Sequence, residues 1–454
     1  MALRKNVVEI KHYQRKGTIM AIENPMVIEN REELLFLLGE ASQLEHMLMC
    51  EYLFAVFSLK RDVSEGITAE QLEAIKRWDR VISAVAAQEM LHLALASNML
   101  SAIGSSAHFN RPNFPQQSKY FPSGVKVALL PFGKDALLHF LYLERPEGME
   151  REDAAILESR SVQEELGQHI IITSQNLVPE PEEFATVGHL YRGIERGFQH
   201  LVEKQGEQQV FIGPPRAQAT QEYFAWPELI PVTDLTSAMQ AIETIVEEGE
   251  GARGDWRQAH YGKFLQVYNE YLALKQQDPN FEPARPVRPA FVRQPADTGP
   301  VDLISDPVTA GVSNLFNASY ATLLSILNRF FLHGGETGEE FKVLSDVCVD
   351  MMFNVIRPVG ILLTTLPIGP HLPGVMAGAS FETYRLGSHP LPHRYGAWVI
   401  IHERLVELAD FCAELKINAP VSQDLAASEL QLREQASRLV PYIGKGTQTA
   451  SLPS

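Results

Sequence analysis

The sequence of 454 residues predicts an all-α fold, on the strength of three observations. Apolar residues recur at steps of three and four through most of the chain, and few segments alternate with the period of two that is typical of strands. The two longest periodic stretches would form helices of about 45 Å, at 1.5 Å per residue. Such long helices, with 45% hydrophobic residues and a mean hydropathy of -0.09, indicate a globular helical bundle.

The first two predicted helices span about residues 30–60 and 68–104. Each begins with a polar pair three residues apart, such as Asn30 with Glu33, which is the capping-box pattern of a helix start. We therefore expect these two helices to form the first half of the bundle.

Three ionisable residues interrupt the apolar faces of these two helices. Glu45 lies in the apolar line of the first helix, and Glu89 and His92 lie in that of the second, within the motif QEMLH. A buried carboxylate or imidazole needs a partner, because leaving water costs it free energy. A metal ion is one such partner. A structural hydrogen bond is the other, and for a lone residue it is the more common one.

Two inserts and two further helices follow. Residues 105–132 and 205–232 are rich in proline and aromatic residues and predict long loop inserts. A short helix is predicted at 134–143 and a third bundle helix at about 184–204. We expect the inserts to shape a substrate pocket. The candidate wall residues are Tyr52, Phe114, Tyr120 and Trp226.

The fourth bundle helix is predicted to be broken. It begins near Asp234, and its periodicity stops at a run of glycines before resuming at His260. In an unbroken helix Glu250 and His260 would lie about 15 Å apart along the axis, too far to bind neighbouring ions. The sequence therefore predicts a bulged loop that returns both residues to one site.

The C-terminal part of the chain is predicted to be a second helical domain. Seven prolines occur in residues 278–307, a composition that is typical of a linker. The predicted organisation is a four-helix-bundle domain at 1–290, a Pro-rich linker at 291–310 and an α-helical domain at 311–454.

Together, the four bundle helices offer the ligands of a di-metal carboxylate site. Such a site takes one Glu from each of two helices and a Glu–His pair from each of the other two. Carboxylates bridge the cations and imidazoles cap them, and these donors suit iron, with manganese as the alternative. On the third helix His189 is the alternative to Glu195, and it is expected to lie away from the apolar face. The predicted metal ligands are Glu45, Glu89, His92, Glu195, Glu250 and His260.

Composition excludes several classes of partner and location. The formal net charge of -17 disfavours nucleic acid and anionic membrane surfaces. The three cysteines lie far apart in apolar helical contexts, which indicates core thiols in a reducing compartment. No apolar secretory segment begins the chain, and the longest apolar stretch, near VIRPVGILLTTLPIG, is interrupted by an arginine and two prolines. We therefore expect a cytoplasmic protein that does not bind membranes.

Several motifs resemble the ferritin-like family over roughly residues 25–440. They include QLEHMLMCEYLFAVFSLK, AAQEMLHLALASNMLSAIG, TVGHLYRGIERGF and IVEEGEGARGDWRQAHYGKFLQV. Within that family they are similar to the group of iminophenyl-pyruvate dimer synthases of violacein and rebeccamycin biosynthesis. The resemblance implies a ferritin-like four-helix bundle and an oxidative enzyme of secondary metabolism that acts on imines or enamines of aromatic α-keto acids. It also implies iron, and it leaves haem open as the alternative to a non-haem pair.

Three functions remain open on the sequence. The first is a metal-dependent oxidoreductase that uses O₂ or H₂O₂ on a small amine- or imine-bearing substrate, with a homodimer as the candidate assembly. The second is an iron-binding or peroxide-scavenging protein without a specific organic substrate. The third is a metal-free interaction protein, which the complete set of six candidate ligands disfavours.

Overall fold

The computed structural model describes residues 27–117, 126–146, 186–249, 256–332, 334–383, 390–418 and 422–443. Helices dominate these residues, so the predicted all-α class is confirmed, with only a few short strands beside them. The helices are α1 Arg31–Ser58, α2 Ala69–Ala102, α3 Lys134–Leu143, α4 Val187–Gln205, α5 Glu207–Val210, α6 Gln221–Phe224, α7 Leu235–Gly249, α8 His260–Gln277, α9 Pro307–Phe330, α10 Gly338–Met351, α11 Arg357–Leu363, α12 Arg394–Asn418 and α13 Ser422–Ile443. The strands are β1 Gln116–Gln117, β2 Lys126–Val127, β3 Val287–Phe291, β4 Asp302–Leu303 and β5 Met376–Gly378.

Side-chain caps define the starts of the two longest helices, as their sequences predict. The side chain of Asn30 accepts from the backbone N–H of Glu33 at the start of α1 (3.0 Å). At the start of α2, Thr68 and Gln71 form a complete capping box. Each cap satisfies backbone donors that the first helical turn leaves without a partner.

α1 and α2 pack along each other and form one half of the bundle, while the other half is made of shorter pieces. α4 packs on α1 and α7, and α3 packs on α8, which also contacts α2. The third and fourth bundle positions are thus each occupied by two helices. The fourth bundle helix is broken, because α7 ends at Gly249 and residues 256–259 form turns before α8 begins.

The C-terminal helices are built onto the bundle through one continuous hydrophobic core. α11 and β5 both approach α1 closely. A Cβ at Gly360 would lie 2.5 Å from the ring of Phe57, and one at Gly378 would lie 2.3 Å from the ring of Phe54. Only glycine permits these two approaches. α9 packs on α10 and α12, and α12 packs along α13.

The segment predicted as a Pro-rich linker, 291–310, is ordered structure that is packed against the core. It contains the end of β3, all of β4 and the first residues of α9. β3 pairs in parallel with β4 on one side and with β5 on the other. Prolines are compatible with this sheet because it is short and β3 gains few ladder bonds. The domain boundaries themselves stay a prediction.

Within the described ranges, no helix is both long enough and apolar enough to cross a membrane.

Candidate metal centre

Three of the predicted ligands meet where α1 and α2 face the bundle interior. Glu45, Glu89 and His92 are each 1% exposed, and their ligand atoms all lie within 4.8 Å of one another. Nδ1 of His92 lies 3.1 Å from Oε2 of Glu89 and 3.7 Å from Oε2 of Glu45. Glu89 and His92 share a face because a helix brings residues three apart into register. These three residues form the first group.

A second group shares Glu89 with the first. It consists of Glu89, Glu144 and His260, whose ligand atoms also lie within 4.8 Å of one another. Nδ1 of His260 lies 2.9 Å from Oε1 of Glu89 and 3.5 Å from Oε2 of Glu144. Glu144 is the C-cap of α3 and His260 is the first residue of α8, so packing of α3 on α8 brings them together. Glu89 therefore presents one carboxylate oxygen to each group.

A fourth carboxylate reaches the cluster from the last turn of α7. Oε2 of Glu248 lies 3.1 Å from Nε2 of His92, and the Glu248 side chain is 21% exposed. The four carboxylates and two imidazoles are the donors that a di-metal carboxylate site requires. We call these six residues the metal centre: Glu45, Glu89, His92, Glu144, Glu248 and His260.

Two buried tyrosines orient the outer carboxylates. The hydroxyl of Tyr191, on α4, donates to Oε1 of Glu45 (2.7 Å), and the hydroxyl of Tyr52, on α1, donates to Oε1 of Glu144. The Tyr52 ring packs against Phe140 and Phe264, with centroids 4.7 and 4.9 Å away. These hydrogen bonds occupy one oxygen of each carboxylate and direct the other toward the centre. Residues that bind a metal ion are usually held in orientation by hydrogen bonds of this kind.

The electrostatics of the centre follow from its burial and from its mixture of charges. Burial and the neighbouring charge of Glu89 raise the pKa of Glu45 to about 7. Burial alone would lower the pKa of His260, but the carboxylates of Glu89 and Glu144 outweigh it and raise that pKa to about 9. Hydrogen bonds that His92 donates to acidic neighbours, Glu248 first, likewise overcome burial and raise the pKa of His92 well above its usual value. Both imidazoles therefore hold protons near neutral pH in the metal-free protein.

The residues fit a pair of divalent cations. The four carboxyl groups outnumber the two imidazoles, and Lys263, at the edge, offsets only part of this acidic excess. Uncompensated buried charge is costly, whereas two divalent cations would balance four carboxylates and leave the imidazoles neutral. In addition, Oε1 of Glu89 and both ring nitrogens of His260 are buried without a well-formed hydrogen bond to the described residues. Such atoms are unusual inside proteins unless they bind something else.

Not all predicted ligands are brought together. Glu45, Glu89, His92 and His260 meet, and their role as ligands stays a prediction. Glu195 is half-buried beside the core face of α4, and it belongs to neither of the two groups in the described structure. Tyr191, one turn earlier, is the α4 residue that faces Glu45. Glu250 lies outside the described residues.

The structure also shows where His189 and most of the predicted pocket walls lie. His189 is buried in the first turn of α4, where its backbone N–H donates to Oγ1 of Thr186 (3.1 Å), and it belongs to neither of the two groups in the described structure. Of the candidate wall residues, Tyr52 bonds Glu144 as described above, Phe114 lies beneath the guanidinium of Arg111, and Tyr120 is outside the described ranges. Trp226 lines a separate cavity, which is described below.

Sequence reasoning missed Glu144 and Glu248. Glu144 lies four residues after Phe140 and seven after Leu137, so it continues the core line of α3 past the last helical turn. Glu248 lies three residues after Ile245, on the core line of α7. The same periodicity that identified Glu45 could have found both residues.

Comparison with known protein families agrees with this architecture. The ferritin-like family model matches residues 38–269, which include all six residues of the metal centre. The chain belongs to the ferritin-like family. The predicted family resemblance is thereby confirmed, and the match ends before β3, so the C-terminal helices lie outside it.

Two curated relatives cover most of this chain. One is the dichlorochromopyrrolate synthase of Lentzea aerocolonigenes, 28% identical over an alignment of 393 residues, which covers 78% of this chain and 36% of that protein. The other is the 2-imino-3-(indol-3-yl)propanoate dimerase of Chromobacterium violaceum, 24% identical over an alignment of 419 residues, which covers 85% of this chain and 37% of that protein. This chain therefore spans little more than a third of the length of either relative.

Among solved structures, a ferritin-like protein from Caulobacter vibrioides is similar at 18% sequence identity and a TM-score of 0.47. The similarity covers 79% of this chain and 100% of that one.

Proposed function

We propose that this chain is a non-haem di-metal oxidoreductase, with two iron ions, or manganese in their place, in the metal centre. The observation that carries the proposal is the shared position of Glu89, whose two oxygens face two separate groups of buried ligands. A single structural ion would need only one such group. A carboxylate between two groups is the arrangement that bridges a pair of ions.

Each residue of the centre has a distinct part in this proposal. Glu45 and His92 would hold one ion, Glu144 and His260 would hold the other, and Glu89 lies between the two groups. Glu248 contacts His92 and is partly exposed, so it can bind an ion or exchange a proton with solvent. Tyr191 and Tyr52 keep the outer carboxylates in place through their hydroxyls. The apolar rings around Tyr52 exclude water from that side.

The chemistry is a two-electron oxidation. The substrate loses two electrons and two protons, which reduce O₂ to H₂O₂ or reduce H₂O₂ to two molecules of water. When bound, the redox-active ions supply the path for those electrons.

The substrate class comes from the relatives. Their names describe a chromopyrrolate-type synthase and a dimerase of an indolyl imino acid. By that similarity, we propose a small amine- or imine-bearing substrate derived from an aromatic amino acid, in secondary metabolism. Because the match covers little more than a third of each relative, the activity of a whole relative is not transferred to this chain.

Metal analysis tests the centre. Protein loaded anaerobically with Fe²⁺ and desalted is expected to keep about two equivalents of metal, and its visible spectrum is expected to lack a Soret band. Glu89→Gln removes a charge from both groups and is expected to lose both ions. Glu247→Gln is the matched control, because Glu247 is the exposed neighbour of Glu248 on α7. Less than about 0.3 equivalents in the wild type would refute the metal assignment, and a Soret band would replace it with haem.

Oxygen uptake tests the reaction class. Adding the imine of indole-3-pyruvate to the iron-loaded protein is expected to start O₂ consumption that Glu89→Gln abolishes. The alternative function is iron binding or peroxide scavenging without an organic substrate. That alternative predicts rapid loss of H₂O₂ with Fe²⁺ alone and no effect of the imine.

A further inference from the structure

A cavity lies on the opposite side of α1 and α2 from the metal centre. It has a volume of about 270 Å³ and lies between α1 and α2 on one side and α9, α10 and α11 on the other. The inserts contribute Phe109, Phe224 and Trp226 to its walls. None of the residues that line it belongs to the metal centre. The inserts therefore line a cavity away from the predicted ligands, and their role in a substrate pocket stays a prediction.

Each long helix has one apolar face that packs inside the bundle and a further line of apolar residues that forms a wall of the cavity. On α2 the stripe is Ser83, Ala87, Met90 and Ala94, at steps of four, three and four, and all four residues are only half-buried. It is turned away from the line of Glu89 that faces the metal centre. Apolar positions at helical spacing are normally covered by a neighbouring helix. Here they border open space instead.

Hydrogen bonds hold the floor of the cavity together. The hydroxyl of Tyr320 binds Nε2 of His46. Behind the lining, Arg111 donates to the backbone carbonyls of Pro112 and Phe381.

Phe381 completes this floor in an unusual backbone conformation. Its φ is 47°, in the left-handed region that residues with side chains rarely adopt. The conformation directs its ring against Tyr320 and Phe316, with centroids 5.3 and 5.1 Å away in edge-to-face geometry. The bond from Arg111 to the Phe381 carbonyl holds the chain in this position.

The mouth of the cavity is formed by a π-helical turn, Met352–Ile356. Pro358 explains the turn, because proline lacks an N–H and its ring clashes with the carbonyl four residues earlier. The turn places Phe353 at the mouth, where its side chain is 62% exposed. Arg357, the charged residue beside it, is bound to Asp79 and Ser83 at 2.8 and 3.1 Å. Its guanidinium is therefore already engaged.

Empty apolar volume of this size destabilises a fold in proportion to the volume, and protein interiors contain few voids larger than a water molecule. An apolar cavity of about 150 Å³ is enough to bind benzene. We propose that this cavity binds an uncharged planar aromatic molecule of one or two fused rings, at a site separate from the metal centre. Aromatic and methionine walls favour flat rings, through edge-to-face and sulfur–aromatic contacts.

Titration calorimetry with indole as the probe tests this site on the metal-free and the metal-loaded protein. One indole is expected to bind per chain in both forms, and indole-3-acetate is expected to bind at least tenfold more weakly. Ala87→Trp fills the cavity from α2 and is expected to weaken indole binding at least tenfold. Ala84→Trp is the matched control, since Ala84 is exposed one turn earlier on the same helix.

Metal content and helical content measured on each variant separate folding from binding. Phe353→Ala, at an exposed position, is a second variant that is expected to weaken indole binding several-fold without a risk to the core. Absence of saturable indole binding by the wild type would overturn the proposal, as would binding that Ala87→Trp leaves unchanged. Equal or tighter binding of indole-3-acetate would overturn the uncharged class. A failure of these tests leaves the metal assignment intact, because its test is metal stoichiometry.

Discussion

His92 and His260 stack in the core of the bundle, with ring centroids 5.5 Å apart and 24° between their planes. The two imidazoles come from different helices, and each lies against a different oxygen of Glu89. Stacked imidazoles of this kind would repel each other if both were charged without compensation. The surrounding carboxylates remove that penalty, and two bound cations would remove it by displacing the protons.

We predict that His260→Ala reduces metal stoichiometry as severely as His92→Ala. Both substitutions remove a nitrogen donor from one of the two groups, and both are expected to leave the helical content largely unchanged, because the apolar core holds the helices together. Metal content by elemental analysis and circular dichroism measure the two effects.

Glu243→Ala is the control for this pair. Glu243 lies on α7 but is exposed, so its removal is expected to keep the wild-type stoichiometry. Wild-type metal content in His260→Ala would show that α8 does not contribute to the site.

A second prediction compares Glu144, which helix packing brings into the second group, with Glu195, which the sequence predicted as a ligand. Glu144→Gln is expected to lose about one of two metal equivalents, because the second group then retains only Glu89 and His260. Glu195→Gln is expected to retain both, since Glu195 belongs to neither group of the described structure. Anaerobic Fe²⁺ titration of the two variants side by side measures the difference. The reverse result would restore Glu195 as the ligand from α4.

A third prediction concerns the tyrosines. Tyr191→Phe is expected to weaken metal affinity by about 10- to 100-fold without changing the stoichiometry at saturation, because it removes the hydroxyl that donates to Oε1 of Glu45 while leaving every ligand in place. Competition with a chelator of known affinity measures the change. Tyr395→Phe, on α12 and 47% exposed, is the control and is expected to have no effect. An unchanged affinity in Tyr191→Phe would mean that Glu45 needs no orienting partner.

A fourth prediction concerns pH and the metal-free protein. The pKa of His260 is about 9 in the folded state against an ordinary 6.5, so the folded state holds this proton more tightly than the unfolded state does. The resulting stability is complete below pH 6.5 and is lost as the pH rises through 9. A shift of this size corresponds to at most about 3 kcal/mol, at 1.36 kcal/mol per pKa unit. The melting temperature of metal-free protein is therefore expected to fall between pH 7 and pH 9.5.

His260→Gln serves as the comparison for the pH series, because it removes the titrating group and is expected to flatten the decrease. Metal-loaded wild-type protein is also expected to show a flatter curve, since the ions hold the imidazole in its neutral form. A metal-free wild type whose melting temperature rises over this range would contradict the raised pKa of His260.

Metal affinity has the opposite dependence on pH. Binding must displace protons from His260 and, near neutral pH, from part of the Glu45 population, whose pKa is about 7. Affinity is therefore expected to increase from pH 6 to pH 9, with protons released on binding. Calorimetry in two buffers of different ionisation enthalpy measures the number released, and zero would contradict the protonated imidazoles.

The sequence alone determined which residues share the buried face of each long helix. Glu45, Glu89 and His92 lie in the long helices α1 and α2, where the period of 3.6 residues sets which side chains share a face. The break in the fourth bundle position was also visible, because a run of glycines interrupts its periodicity. These features depend on neighbours within a few residues, so the pattern of the chain is enough to locate them.

Only the tertiary structure decided the remainder. Glu144 caps α3 and Glu248 lies in the last turn of α7, so their positions depend on how α3 packs on α8 and α7 on α2. The apolar cavity likewise lies between helices that are distant in the sequence. Helical periodicity says which side of a helix faces inward, but it does not say which helix will face it. Long-range packing decides which helices meet, because an apolar face can be buried against any other apolar face, however distant in the sequence.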